Sequence, residues 1–434
     1  MKKYFLLLLT LASSLAFADE PLLKIAVGDA RTRKSIVAFP TVTATNDMEG
    51  RVRSVREVAT EDLAFSGLFE FMNPTAFIEQ GNAGITAGSF KMTDWSSIGA
   101  EFLLKGKGSV SANGIELEMH LYSTTSNKEI FAKKYHASTD TSRKLGHTLA
   151  DDVLFALSGK KGPFTSKIAF VSDKTGKKEV YVMDYDGYNI VKVTSHFAHA
   201  MAPAWSRDGH KIAFTAITRD QHNIRNHNLF MYDLPSGKIN MISNRNGINS
   251  GANFSPDGKR IALTMSFPGN PEIFVMDPVT KVAQRLTNSY GLDVDPSWSP
   301  DGNSIAFVSD RAGRPMIYKM DANGANVTRL TFAGDYNATP SWSPQGNKIA
   351  FAGWDAGKFD IFIMSPDGSS IERLTKNMGD NEDPDFAPDG YFLVYSSNRK
   401  GKRNLYITNI DNTVHRQITS DYGNCEAPKW GPAN

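Results

Sequence analysis

From about residue 167 onward, apolar residues come in short uninterrupted runs. Ile168-Ala169-Phe170, Ile212-Ala213-Phe214, Ile261-Ala262-Leu263 and Ile305-Ala306-Phe307-Val308 are examples. A run without polar alternation fits a strand covered on both faces. Ahead of most runs stands an aromatic followed by a turn, as in Pro296-Ser297-Trp298-Ser299-Pro300-Asp301-Gly302. Ser-Pro-Asp-Gly suits a type I turn position by position: Pro presets φ at the second site and Gly accepts the left-handed fourth site. The aromatic marker recurs at Trp205, Phe254, Trp298, Trp342, Phe386 and Trp430, first after 49 residues and then every 44. A second marker keeps the same phase: Met183-Asp184, Tyr232-Asp233, Met276-Asp277, Met320-Asp321, Met364-Ser365 and Thr408-Asn409. A constant period of about 40–45 residues with four short strands per unit predicts a β-propeller.

Six units are expected, and the ring closes on itself. Ile168-Ala169-Phe170 has no Pro-x-Trp before it, and Trp430 has no second strand after it. The two fragments complete one blade. The five extra residues of the longest unit fall in a hairpin tip at 218–227.

Before residue 160 the pattern changes and no repeat is visible. Residues 34–40 predict a buried strand. Val52, Val55, Val58, Ala59 and Leu63 keep helical spacing up to Gly67, a plausible C-terminal stop. Asp94 suits the cap of a short helix running to Ile98. Strands are predicted over 102–110, 115–122 and 129–136, the first two joined by the hairpin signal Asn113-Gly114. Ile115, Leu117, Met119 and Leu121 alternate with Glu116, Glu118 and His120, which predicts a sheet with one wet face. A helix carrying Leu145, Leu149, Val153, Leu154 and Leu157 then leads into a linker at 158–163. The fold class is therefore an α/β N-terminal domain (19–160) followed by an all-β six-bladed β-propeller (161–434).

Residues 1–18 form a predicted signal peptide: Lys2 and Lys3, an apolar stretch, then Ala16-Phe17-Ala18. The apolar stretch is too short for a stable membrane anchor, so an exported, periplasmic chain is expected. Its removal leaves 46 basic against 46 acidic residues, which argues against nucleic acid or an anionic membrane as the main partner. A single cysteine, Cys425, excludes an internal disulfide.

Enzyme motifs are missing: no Gly-x-Ser-x-Gly, no His-Glu-x-x-His, no phosphate loop. His196-x-x-His199 lacks a third ligand at a motif spacing, and Asp184-x-Asp186-Gly187 fits a turn better than a calcium loop. The acidic group Asp293, Asp295, Asp380, Glu382, Asp383 and Glu426 mostly precedes inner strands and so gathers at one mouth of the channel. Solvated loops, a bound cation or a basic peptide would each account for it.

The combination of a signal peptide, Asp62-Leu63-x-x-Ser66-Gly67-x-Phe69, Gly146-His147-Thr148-x-Ala150-Asp151-Asp152-Val153 leading to Gly162-x-Phe164, and six Pro-x-Trp-Ser-Pro-Asp-Gly units resembles the TolB family of the Tol–Pal system. The unit around Phe254 departs from the pattern, with Ala252 in the proline position and no histidine in the segment before it. The resemblance implies a non-enzymatic, monomeric scaffold without cofactor or metal. It would bind the lipoprotein Pal through the propeller and TolA through the mature N-terminus, Asp19, Glu20, Pro21, Leu22 and Leu23. Such a scaffold would maintain outer-membrane integrity and draw that membrane inward at division. A propeller enzyme, lyase or peptidase-like, is the other reading. The segments leading into the inner strands differ from unit to unit, so Gly251, Val294, Asp295, Thr339 and Asp383 are expected at the Pal contact.

Overall fold

A computed structural model describes residues 33–79, 83–219 and 223–433. The signal peptide and residues 19–23 lie outside the described residues. The first domain is a mixed sheet backed by two helices. Its strands are β1 (Ser35–Ala38), β2 (Thr43–Thr45), β3 (Phe69–Phe71), β4 (Phe102–Ser111), β5 (Gly114–Ser123) and β6 (Lys128–Ala137). They run in the order β3-β1-β4-β5-β6, with β2 continuing beside β4. β1 pairs in parallel with β3 and β4, whereas β4, β5 and β6 form an antiparallel meander.

Helices α1 (Arg51–Phe65) and α3 (Ser142–Ser158) cover one face of the sheet, onto which Leu117, Met119 and Leu121 are buried. They approach closely because residue 146 is glycine: a Cβ there would sit 2.9 Å from the Val55 carbonyl oxygen. In the short helix α2 (Met92–Ser96) Lys91 occupies the N-cap position without a side-chain capping bond, and Asp94 lies inside the first turn rather than at the cap. The opposite face of the sheet is not fully wet. Trp95 and Tyr122 form a second small core there, and the buried Lys105 ammonium lies 4.3 Å from the Phe90 ring centroid while pairing with Glu79. Alternation along β5 could not reveal this cover, which comes from residues 72–100 far away in sequence.

Six four-stranded antiparallel sheets follow. Blade 1 consists of β7 (Lys167–Ser172), β8 (Glu179–Asp184) and β9 (Val191–Lys192), completed by the C-terminal strand Cys425–Trp430 as its innermost member. The inner strands of blades 2 to 6 are Ala200–Trp205, Asn249–Phe254, Asp293–Trp298, Tyr336–Trp342 and Asn381–Phe386. The turn glycines Gly209, Gly258, Gly302, Gly346 and Gly390 all have φ between 64° and 76°, as the turn assignment requires. Neighbouring blades are stitched through the residue just before the aromatic. Asn253 accepts the Trp298 N–H (2.9 Å), Ser297 that of Trp342 (3.1 Å) and Asp385 that of Trp430 (2.8 Å).

Residues 158–163 are a fixed elbow rather than a loose linker. Gly159 ends α3 in the left-handed region, Phe164 is buried, and the Asp151 carboxylate accepts the backbone N–H groups of Phe164 (3.2 Å) and Thr165 (3.1 Å). The α/β domain rests on the turn face of blades 1 and 6, where Phe65 stacks on Phe392 at 4.9 Å between ring centroids. The opposite face of the ring, where the inner strands begin, carries no contact from it among the described residues.

Candidate functional site, the open mouth of the propeller

The segments expected to be loops ahead of the inner strands are themselves strand. Each carries a β-bulge at the same position, between Met201 and Ala204, Ser250 and Asn253, Val294 and Ser297, Ala338 and Ser341, Glu382 and Asp385, and Glu426 and Lys429. A bulge inserts an unpaired residue and re-aims the strand. Here the inserted residue takes a left-handed conformation in every blade: Ala202 (φ 49°), Gly251 (64°), Asp295 (54°), Thr339 (49°), Asp383 (57°) and Ala427 (48°). Five of the six carry a Cβ. A β-branched residue such as Thr339 at positive φ is an outlier, and strain of this kind concentrates at functional sites.

Four of the five sequence-predicted contact residues, Gly251, Asp295, Thr339 and Asp383, are members of this ring. Gly251 and Asp295 are close enough that a Cβ on the glycine would lie 3.5 Å from Asp295 Oδ1. Val294 differs. Its side chain turns into the packing between blades, against the cluster that holds Ala306, Val308 and Leu330. Sequence reasoning found these residues through their variability. The regular spacing of the six bulge positions was available but carried no flag, because nothing in residue type marks a bulge that accepts Asp, Thr, Ala and Gly alike.

The acidic group divides in two. Asp293 is fully buried and held by Arg311 through two bonds of 3.0 and 2.8 Å. Asp380 accepts from Asn398 (2.8 Å), Glu382 pairs with Arg403 and Glu426 with Lys178. These four are scaffold. Asp295 and Asp383 remain in the channel with Lys429, which pairs with Asp385 one step deeper (3.1 Å). Asp383 accepts the Ala427 N–H from the next blade (3.1 Å). The Asp295 carboxylate has no hydrogen-bond partner among the described residues. Burial, reinforced by the Asp383 charge, pushes its pKa up to about 6 against the pull of Lys429. Next to it in the ring, Thr339 Oγ1 is buried without a hydrogen-bond partner. Among the described residues no group of three or more His, Cys, Asp or Glu is arranged to hold a metal ion.

His196 and His199 sit at the rim of blade 2 with Arg219 and Arg225, lining a cavity of about 450 Å³. The lone Cys425 is buried in the closing strand, and burial raises its thiol pKa to about 11, which leaves it unreactive. Among the described residues no helix is long and apolar enough to cross a membrane.

Comparison with known proteins agrees with this arrangement. Residues 23–130 match the TolB amino-terminal domain and residues 155–434 the TolB beta propeller domain. The chain is 33% identical over 252 residues to a Tol-Pal system protein TolB of Desulfosudis oleivorans, and 36% identical over 160 residues to one of Geobacter sulfurreducens. These matches cover 58% and 37% of this chain, and 56% and 37% of the relatives' own lengths. A crystal structure of TolB from Acinetobacter baumannii superposes with a TM-score of 0.80 at 29% identity, over 92% of this chain and 97% of that one. An α/β domain in front of a six-bladed propeller, with both parts matched in order, places the chain in the TolB family.

Proposed function

We propose that this chain is a non-enzymatic binding scaffold of the Tol–Pal system in the periplasm, which maintains the outer membrane and draws it inward during division. Pal would seat over the open mouth, on Gly251, Asp295, Thr339 and Asp383 with the half-buried Val294 as an apolar edge. TolA would take residues 19–23. A monomer needing no cofactor and no stable insertion in the membrane is sufficient for this role.

The observation that supports the reading best is the pair Asp295 and Thr339. Among the described residues a carboxylate and a hydroxyl without hydrogen-bond partners occupy neighbouring positions of a strained ring, on the face that the described part of the α/β domain does not touch. Unmet polar groups of this kind cost stability and are repaid when a partner supplies donors. A partner that inserts a cationic or N–H-rich group between Asp295 and Asp383 fits the charge.

The test is capture of purified Pal by immobilised variants. Asp295→Lys should weaken capture tenfold or more, since it sets a cation against the expected donors. Asn303→Arg, beside a turn on the opposite face, should not change it. Val294→Arg is a poorer probe than its sequence position suggests, because it also forces a charge between blades. Normal capture by Asp295→Lys together with loss in Asn303→Arg would place the partner on the wrong face for this reading.

A further inference from the structure

The joint between the two domains contains a buried charged cluster that the binding role does not use. Asp62 comes from the end of α1, and Arg143 and His147 from α3. Tyr185 and Asp186 come from the turn after β8, on the propeller side. His147 Nδ1 lies 2.6 Å from Asp62 Oδ2, and its Nε2 lies 3.4 Å from Asp186 Oδ2. Arg143 pairs with Asp186 and packs its guanidinium 3.5 Å from the Tyr188 ring centroid. The Tyr185 hydroxyl donates to Asp62 Oδ1. Asp62, His147, Tyr185 and Asp186 are all buried.

Both ring nitrogens of His147 therefore face a carboxylate. A neutral imidazole carries one proton and would point a lone pair at one of them. Nε2 is buried, makes no hydrogen bond and meets Asp186 only at ion-pair distance. Its approach to Asp186 is therefore attractive only for the imidazolium, which with Arg143 sets two cations against the two carboxylates. Further off, Asp151 on α3 adds negative charge near Asp62, and Arg416 of blade 6 adds positive charge near Tyr185.

We propose that His147 is a proton-dependent latch between the α/β domain and the propeller, closed when the imidazolium bridges Asp62 to Asp186 and loosened when it loses its proton. The apolar contact of Phe65 with Phe392 stays in place as the pivot, so the domains tilt rather than separate.

The direction follows from the surroundings. Burial alone would lower the His147 pKa, but the hydrogen bond and charge of Asp62, then the charge of Asp186, outweigh it and hold it above the usual value. A histidine raised on docking stabilises the docked state below its free pKa of about 6.5. That contribution is lost as pH rises through the docked pKa. Each unit by which docking raises the pKa changes the docked-to-loosened ratio about tenfold between acid and alkaline pH.

The experiment is a distance measurement across the joint in the full chain, by pulsed electron–electron resonance between spin labels at Glu57→Cys and Lys192→Cys. Both sites are exposed and Cys425 is buried. One narrow distance is expected at pH 6 and a broadened one at pH 9, with a midpoint above about 6.5. His147→Gln and Asp186→Asn should both be broad at pH 6 and 9, with the propeller's melting transition kept as the control for folding. Asp186→Asn leaves the pair within the α/β domain intact and so isolates the bridge to the propeller. A wild-type distance that stays narrow from pH 6 to 9 would overturn the proposal, as would a pH response that survives in either variant.

Discussion

Deleting residues 428–434 tests how the ring is held. The deletion removes the last two pairs of the closing strand, Lys429 with Ala169 and Trp430 with Ile168. Trp430 is 6% exposed, its indole N–H donates to Ser166 Oγ (2.6 Å) and its backbone N–H to Asp385. Losing a buried Trp costs about 3–5 kcal/mol, and one hydrogen bond about 1 kcal/mol more. Removing Lys429 also leaves Asp385 without its cation, held only by the Ser341 hydroxyl (3.0 Å), in a channel that already holds Asp295 and Asp383. A loss of about 4–6 kcal/mol is a large part of the 5–15 kcal/mol typical of a folded domain. At about 2–4 °C per kcal/mol for a domain of this size, the melting transition should fall by on the order of 10–20 °C. Differential scanning calorimetry of the full and shortened chains reads this directly. If the shortened chain melts with the full one, the C-terminal strand is not what closes blade 1.

Three further outcomes follow from the same geometry. Asp295 has a raised pKa of about 6, so the folded state binds more protons than the unfolded one between about pH 4 and 6, and stability falls as pH rises through that window. Asp295→Asn should therefore raise urea stability by about 1–3 kcal/mol at pH 7 and leave it unchanged at pH 4; equal effects at both would refute the assignment. Thr339→Gly removes a β-branched residue from φ 49° and should leave the fold unchanged or stabilise it by about 1 kcal/mol, while weakening Pal capture. Deleting residues 19–23 should reduce TolA capture and leave the propeller's calorimetric transition where it was; undiminished capture would reject that segment as the TolA site.

The propeller was legible because its information is local and repeated. Ser-Pro-Asp-Gly sets a turn, and Ile-Ala-Phe sets a strand covered on both faces, without help from elsewhere. Closure by Trp430 followed from two incomplete units. The missed features depend on contacts between distant segments. β2 and β3 are three residues each, too short for a period, and exist because β4 and β1 offer them edges. The bulge ring escaped because a left-handed Asp, Thr or Ala is imposed by its neighbours and not by its own preference. The charged joint escaped because Asp62 and His147 are 85 residues apart, and each alone fits an ordinary helix.

The closing strand also governs the order in which the molecule can be completed. Trp430 meets Ser166 across 264 residues, and for a flexible chain joining ends so far apart costs on the order of 5 kcal/mol. Blades 2 to 6 need only their own neighbours. As they form they carry the two ends of the ring around toward one another, so the entropy is lost in small steps. During synthesis from the N-terminus, the α/β domain and five blades can therefore be in place while blade 1 still lacks its innermost strand. Until residue 430 arrives, the edge of β7 stays open to any other strand. A ring whose strand Cys425–Trp430 has not yet paired with β7 keeps one adhesive edge, and that pairing decides whether the product is a closed ring or a seed for aggregation.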